Sequence, residues 1–206
     1  MSFHVWLTFV AAATVLLMIP GPTILLVISY ALTQGRRVAL MMALGVALGD
    51  FIAMSASLMG LGALVLASAK LFTVLKWVGA GYLVWMGIKL LRAAPVAADV
   101  AAPAPKETRA IFAHAATVTA LNPKSIAFFI AFVPQFLSLD APLPGQFATL
   151  IATFVSLATL NALGYALLAD RLRTRIRRPA VLKWMNRAGG SALIGMGALT
   201  AGLARS

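Results

Sequence analysis

Long apolar segments, separated by short polar ones, run along the whole chain. A membrane-spanning helix needs about 20 apolar residues, and six segments are of that kind: 1–35, 38–67, 71–91, 110–137, 141–169 and 181–203. The sixth is the weakest, because it is rich in glycine and begins with Lys183 and Arg187. The regular alternation that marks barrel strands is absent from all of them. The pattern therefore predicts an all-α integral membrane protein with six transmembrane helices.

One long polar interruption divides this pattern in half. Residues 93–109 read AAPVAADVAAPAPKETR, with three prolines and no apolar periodicity, which is typical of a flexible extended linker on the cytoplasmic side. It separates a first three-helix repeat at 1–92 from a second at 110–206. Because three is an odd number of spans, the second half enters the membrane upside down. This predicts a 3+3 inverted repeat.

Helix-breaking residues interrupt the first and fourth spans at matching places. The first carries Pro20, Gly21 and Pro22, and the fourth carries Pro123 directly after Asn122. Proline lacks an N–H donor and leaves a carbonyl of the preceding turn unpaired, and in lipid such groups must face protein, water or substrate. A simple proline kink would explain either break alone. Two breaks in matching positions favour a transporter binding site.

Composition and charge narrow the class of protein. The chain is 62% apolar and 11% charged, against roughly 45–50% and about 25% in soluble domains, which excludes a soluble or disordered protein. The lack of cysteine excludes a disulfide scaffold and thiolate metal sites. Of the 17 Lys and Arg residues, 13 lie in the first, third and fifth loops, so these loops are expected in the cytoplasm and both termini outside it. The net charge of +12 is then explained without a nucleic-acid partner.

Two ionisable residues lie deep inside the spans. Asp50 and Lys124 are 13 and 15 residues from the nearest cytoplasmic arginine, or about 20 and 22 Å along a helix. Each burial costs about 2.5–3.5 kcal/mol and is a functional hypothesis by default. Lys124 suits the carboxylate of an amino acid, whereas Asp50 and freed carbonyls suit its ammonium. Asp50 is also the candidate for a coupling proton. The structural alternative is an Asp50–Lys124 ion pair that only fixes helix packing.

Other polar residues of the spans carry weaker signals. Candidates for the cavity wall are Asn122, Asn161, Thr23, Thr117 and Thr119, and Gln135 is a candidate gate or cap near the outer end of the fourth span. Hydrogen bonds between helices are the common alternative for such residues. No metal-ligand cluster, nucleophile with a base or phosphate loop is present in the sequence. We therefore expect no enzyme activity, no catalytic residue, no metal and no cofactor.

A series of short motifs gives the chain a family resemblance. It carries IPGPT at 19–23, GVALGD at 45–50, GAGYL at 79–83, LNPK at 121–124 and PQF at 134–136. In this order and spacing they resemble the lysine exporter (LysE/RhtB) family of bacterial amino-acid exporters. The resemblance implies export of amino acids across the bacterial inner membrane, coupling to the proton motive force, and a homodimer.

The resemblance leaves the substrate open. One acidic residue inside the membrane gives a dibasic substrate little to pair with, which favours neutral amino acids such as threonine, homoserine or leucine. Two alternatives belong to other classes. The first is an exporter of another small solute or a cation. A metal ion as substrate would require several converging Cys, His or carboxylate ligands. A membrane scaffold without transport activity would not require two broken helices and buried charges.

Overall fold

The chain folds into helices throughout the residues that the structure, a computed structural model, describes: 1–35, 38–93, 107–138, 141–169 and 179–203. These residues form eight α-helices and one 3-10 helix, and they contain no strand. In chain order they are α1 Phe3–Met18, α2 Pro22–Gln34, α3 Ala39–Ala67, α4 Ala69–Arg92, α5 Thr108–Ala120, α6 Pro123–Ala131, the 3-10 helix Val133–Phe136, α7 Leu143–Leu167 and α8 Pro179–Leu203. The prediction of an all-α protein is confirmed.

Three of the described helices are long and apolar enough to cross a membrane. They contain the segments Ala39–Ala63, Thr73–Arg92 and Leu143–Leu167. The pair α1–α2, bent by 56° at its break, is a fourth if the two helices count as one span. Neither α8 nor the pair α5–α6 meets the same test in the described residues. Length and composition therefore agree with a membrane protein, and the six-span repeat stays a prediction.

Both helix breaks lie where the sequence places them. α1 ends at Met18, and α2 begins at Pro22 with Gly21 as its N-cap residue. α5 ends at Ala120, and α6 begins at Pro123. Proline is favoured at the first helical position because the N–H that it lacks would have no partner there. The prolines that end one helix therefore also begin the next.

Glycines set how closely two pairs of helices approach. A methyl group on Gly49 of α3 would lie 2.6 Å from the Ala116 carbonyl oxygen of α5, and one on Gly87 of α4 would lie 2.6 Å from the Gly190 carbonyl oxygen of α8. Small residues at such crossings let backbones pack directly in membrane proteins. The α3–α5 contact holds Asp50, the residue after Gly49, beside the second break.

An aromatic cluster anchors α6 in the interior. Phe128 and Phe129 of α6 are fully buried and pack against Phe9 of α1 and Phe154 of α7. The Phe129 and Phe154 rings meet edge to face with centroids 4.8 Å apart, a favoured geometry for aromatic pairs. The cluster lies one turn beyond Lys124 and fixes the direction in which α6 begins.

Several predicted features lie outside the described residues. Most of the linker, residues 94–106, is among them, as are Arg36 and Arg37 of the first loop and the basic segment 170–178. The predicted division into 1–92, 93–109 and 110–206 therefore stays a prediction.

Candidate functional site

The two helix breaks meet in the interior of the protein. Thr23, in the first turn of α2, accepts a hydrogen bond from Asn122 Nδ2 at 3.1 Å and one from Thr119 Oγ1 at 3.3 Å. The Asn122 side chain also caps α6, because its Oδ1 accepts from the Lys124 backbone N–H at 3.1 Å. All four residues are buried. A single side chain thus starts α6 and ties it to the start of α2.

Lys124 crosses from the second break to the first. Its Nζ donates hydrogen bonds to the carbonyl oxygens of Leu16, at 3.0 Å, and Ile19, at 2.7 Å. Pro20, four residues later, has no N–H to offer the Leu16 carbonyl, which accepts from the Ile19 N–H at 3.2 Å and from the lysine with its second lone pair. The lysine stem passes Gly21, where a methyl group would lie 3.4 Å from both Cε and Nζ. The ammonium group is therefore held on the end of α1.

Side chains of α7 donate hydrogen bonds to the two backbone carbonyls that lie between those of Leu16 and Ile19. Asn161 Nδ2 donates to the Leu17 carbonyl at 3.1 Å, and Tyr165 Oη donates to the Met18 carbonyl at 3.2 Å. Each of the last carbonyls before the break thus accepts a hydrogen bond from a distant side chain. This satisfies the rule that backbone groups inside a membrane need internal partners.

A small cavity lies at this junction. It has a volume of about 20 Å³ for water-sized solvent, room for about one water molecule. Ligand pockets are commonly 300–1,000 Å³, so an amino acid requires the surrounding helices to move apart. The wall combines both breaks with the middle of α3 and α7, and its lining residues are Leu17, Gly21, Thr23, Ile24, Val46, Asp50, Asn122, Lys124, Ser125, Ala158 and Asn161.

Asp50 faces this cavity without a partner in the described part of the chain. Its side chain is 3% exposed, and it neither accepts a hydrogen bond from a described residue nor forms an ion pair within 4.0 Å of one. Lys124 has turned to the carbonyls of α1 instead. The structural ion pair that the sequence left open is therefore not formed in this state. The cavity wall instead carries one acidic and one basic side chain that do not pair.

Most residues predicted for the site come together, and two do not. Asp50, Lys124, Asn122, Asn161, Gly21 and Thr23 line the cavity; Pro20, Pro22 and Pro123 form the breaks; and Thr119 lies buried behind Thr23. Thr117 is exposed on the far side of α5, since two residues turn a helix by about 200°. Gln135 donates to the Ala131 carbonyl and to Thr200 Oγ1, at 2.5 Å, and so joins the 3-10 helix to α8.

The sequence did not single out three polar residues of this region. Ser125 is on the cavity wall, with no pattern to mark it. Tyr165 lies one helical turn after Asn161, and this spacing on a shared helix face would have found it. Tyr30, fully buried on α2, makes a 3.0 Å hydrogen bond with His114 Nδ1 on α5. The pair joins the two helices at a distance from the cavity.

Known proteins match the chain over most of its length. The family model described as LysE type translocator matches residues 14–202. An uncharacterized membrane protein of Vibrio cholerae serotype O1 is 36% identical over 202 residues, or 98% of each chain. The homoserine/homoserine lactone efflux protein of Salmonella typhimurium is 35% identical over 202 residues, again 98% of each. A leucine efflux protein of Klebsiella pneumoniae is 30% identical over 161 residues, 78% of this chain and 74% of its own. No solved structure matches.

Proposed function

Because the chain belongs to the LysE type translocator family, we propose that it is a secondary active exporter of neutral amino acids, not an enzyme. The observation that carries the proposal is the cavity between the two broken helices, which holds one acid and one base on separate walls. A zwitterion offers one charge of each sign to such a site. Relatives named for homoserine/homoserine lactone and leucine efflux support the same class of substrate.

The chemistry of the cavity wall favours a neutral side chain on the substrate. Asp50 is the one acid among its lining residues, so a dibasic amino acid would leave its second cation without a partner. The carboxylate group of the substrate suits the N-termini of α2 and α6, where first-turn N–H groups and the helix dipoles favour an anion. Threonine, homoserine and leucine meet these requirements.

We propose that Asp50 couples export to the proton motive force. A carboxyl group without a described partner, buried inside the membrane and facing a cavity, is suited to take up and release a proton. Its neighbours on the wall include Lys124, whose charge changes the cost of ionising Asp50. Proton and substrate would then meet in one small site.

The membrane arrangement is part of the same proposal. Six spans follow if α1–α2 and α5–α6, with its 3-10 helix, each cross once, and α3, α4, α7 and α8 cross singly. An inverted repeat is supported by the meeting of the two breaks at one cavity. The family resemblance implies a position in the bacterial inner membrane, and the Lys and Arg distribution supports an orientation with both termini outside the cytoplasm. A homodimer in the lipid bilayer remains part of what the family resemblance implies.

The test is amino-acid efflux from cells loaded with a panel of dipeptides, with and without expression of this chain. We expect one or more neutral amino acids to leave faster, and a protonophore to abolish the difference. Lysine or arginine as the main product would contradict the neutral specificity. Unchanged efflux of every amino acid, with the protein present in the membrane, would refute the proposed function.

A further inference from the structure

We infer that the carbonyls of Leu16 and Ile19 form the subsite for the substrate's ammonium group, and that Lys124 fills this subsite while the carrier is empty. This inference rests on the proposed function, because it assigns a role to the same cavity. In it, Lys124 is a tethered cation that exchanges places with the cation of the substrate.

The geometry of the subsite is that of a cation site. The distances from Lys124 Nζ to the two carbonyl oxygens, 2.7 and 3.0 Å, are those of N–H···O hydrogen bonds, and the donor is a cation. The primary ammonium of lysine and that of an α-amino acid offer the same three donors. A pair of oxygens that binds one is therefore suited to the other.

The neighbouring carbonyls provide a contrast. Leu17 and Met18 accept hydrogen bonds from the neutral side chains of Asn161 and Tyr165. Only the Leu16 and Ile19 oxygens, among these four, receive a charged donor. A neutral side chain is enough to give a backbone carbonyl its hydrogen bond. Stabilising the end of α1 therefore does not by itself require a buried lysine.

The displaced lysine has a destination. Asp50 lines the same cavity and has no hydrogen-bond or ion-pair partner among the described residues. The cavity has only about 20 Å³ of free volume, too little to admit a substrate while Lys124 stays in place. When the substrate's ammonium takes the carbonyls, Lys124 moves toward the carboxylate of Asp50.

A tethered cation separates two modes of transport. Net efflux requires the empty carrier to return across the membrane, and it returns with the subsite filled by Lys124. Exchange of one substrate molecule for another does not require the empty carrier to cross the membrane. Removal of the ammonium should therefore impair net efflux and spare exchange.

The experiment compares these modes in proteoliposomes that contain purified protein. Lys124→Met keeps an unbranched stem of equal length, with sulfur in place of Cδ, and removes the ammonium. We expect net efflux to fall about tenfold or more, the size of effect that follows from the loss of a hydrogen bond to a charged group, with exchange retained. Tyr165→Phe is the matched control, because it removes a neutral hydrogen bond from the same helix end. In that variant net efflux and exchange should change together.

Two results with folded protein would overturn the inference: equal loss of net efflux and exchange in Lys124→Met, or full retention of both. A wild-type protein that neither exports nor exchanges any amino acid would instead overturn the proposed function, and the inference with it. If Lys124→Met does not fold, a competition experiment with the wild-type protein tests the inference. n-Propylammonium should compete with the bound amino acid for purified protein, and failure to compete would overturn the inference.

Discussion

Asn122 makes two contacts whose contributions to stability can be measured separately: one within α6 and one between the two breaks. Its Oδ1 caps α6 and its Nδ2 reaches Thr23. Asn122→Ala removes both contacts, whereas Thr23→Val removes the acceptor and leaves the cap in place. The two variants and their combination form a double-mutant cycle that isolates the bond between the half-helices.

The structure sets the expected size of each effect. Loss of an N-cap side chain costs about 0.5–2 kcal/mol, and a hydrogen bond between membrane helices contributes about 0.6 kcal/mol on average, with a maximum near 1.7. Asn122→Ala should therefore lower the free energy of unfolding by about 1–3 kcal/mol. The coupling between Asn122 and Thr23, at 3.1 Å and buried, should be about 0.6–1.7 kcal/mol.

The assay is equilibrium unfolding of purified protein in mixed detergent micelles, followed by the loss of helical circular dichroism. Thr117→Val is the control on α5, because Thr117 is exposed and its change should be within about 0.5 kcal/mol. If the Asn122 and Thr23 effects add without coupling, the two half-helix starts are not joined in the way that the geometry indicates. The reasoning that one cavity is built from both breaks would then be refuted.

Three further predictions concern charge, packing and topology. Asp50→Asn should abolish protonophore-sensitive export in the dipeptide assay while the protein unfolds as the wild type does; normal export would remove Asp50 from the mechanism. Gly49→Val should destabilise the fold by about 1–3 kcal/mol through overpacking against α5, whereas Gly60→Val on the same helix has open space and should not; equal unfolding curves would argue against the close crossing. A reporter fused after Ser206 should be active outside the cytoplasm, and cytoplasmic activity would contradict the proposed topology.

The parts of the fold that could be predicted are those fixed by local chemistry. A proline removes its own N–H wherever it lies, so the breaks after Met18 and Ala120 follow from Pro20, Pro22 and Pro123 alone. The cost of a charge inside a membrane marks Asp50 and Lys124 without knowledge of their partners. Both residues lie on the cavity wall.

The pairing of those charges could not be read from the sequence. Lys124 had a carboxylate and freed carbonyls available at one level of the membrane, and the choice between them depends on distances of a few ångström. The structure places it on carbonyls 105 and 108 residues away. Likewise, Thr117 and Thr119 look equivalent in sequence, and only the rotation of α5 buries one and exposes the other.

The two breaks differ in a way that gives the cavity a direction. At the first break, two prolines withhold their N–H groups from the Leu16 and Met18 carbonyls. The Leu16 carbonyl accepts from the Ile19 N–H at 3.2 Å, and both carbonyls also accept from side chains of α6 and α7. At the second break, one proline withholds its N–H from the Thr119 carbonyl. That carbonyl accepts a hydrogen bond from the Asn122 backbone N–H at 3.1 Å. Of the two breaks, only the first has carbonyls that accept from distant side chains of the described residues, and the second contributes the N-terminus of α6. A zwitterion in this cavity would thus lie with its ammonium toward the end of α1 and its carboxylate toward the starts of α2 and α6.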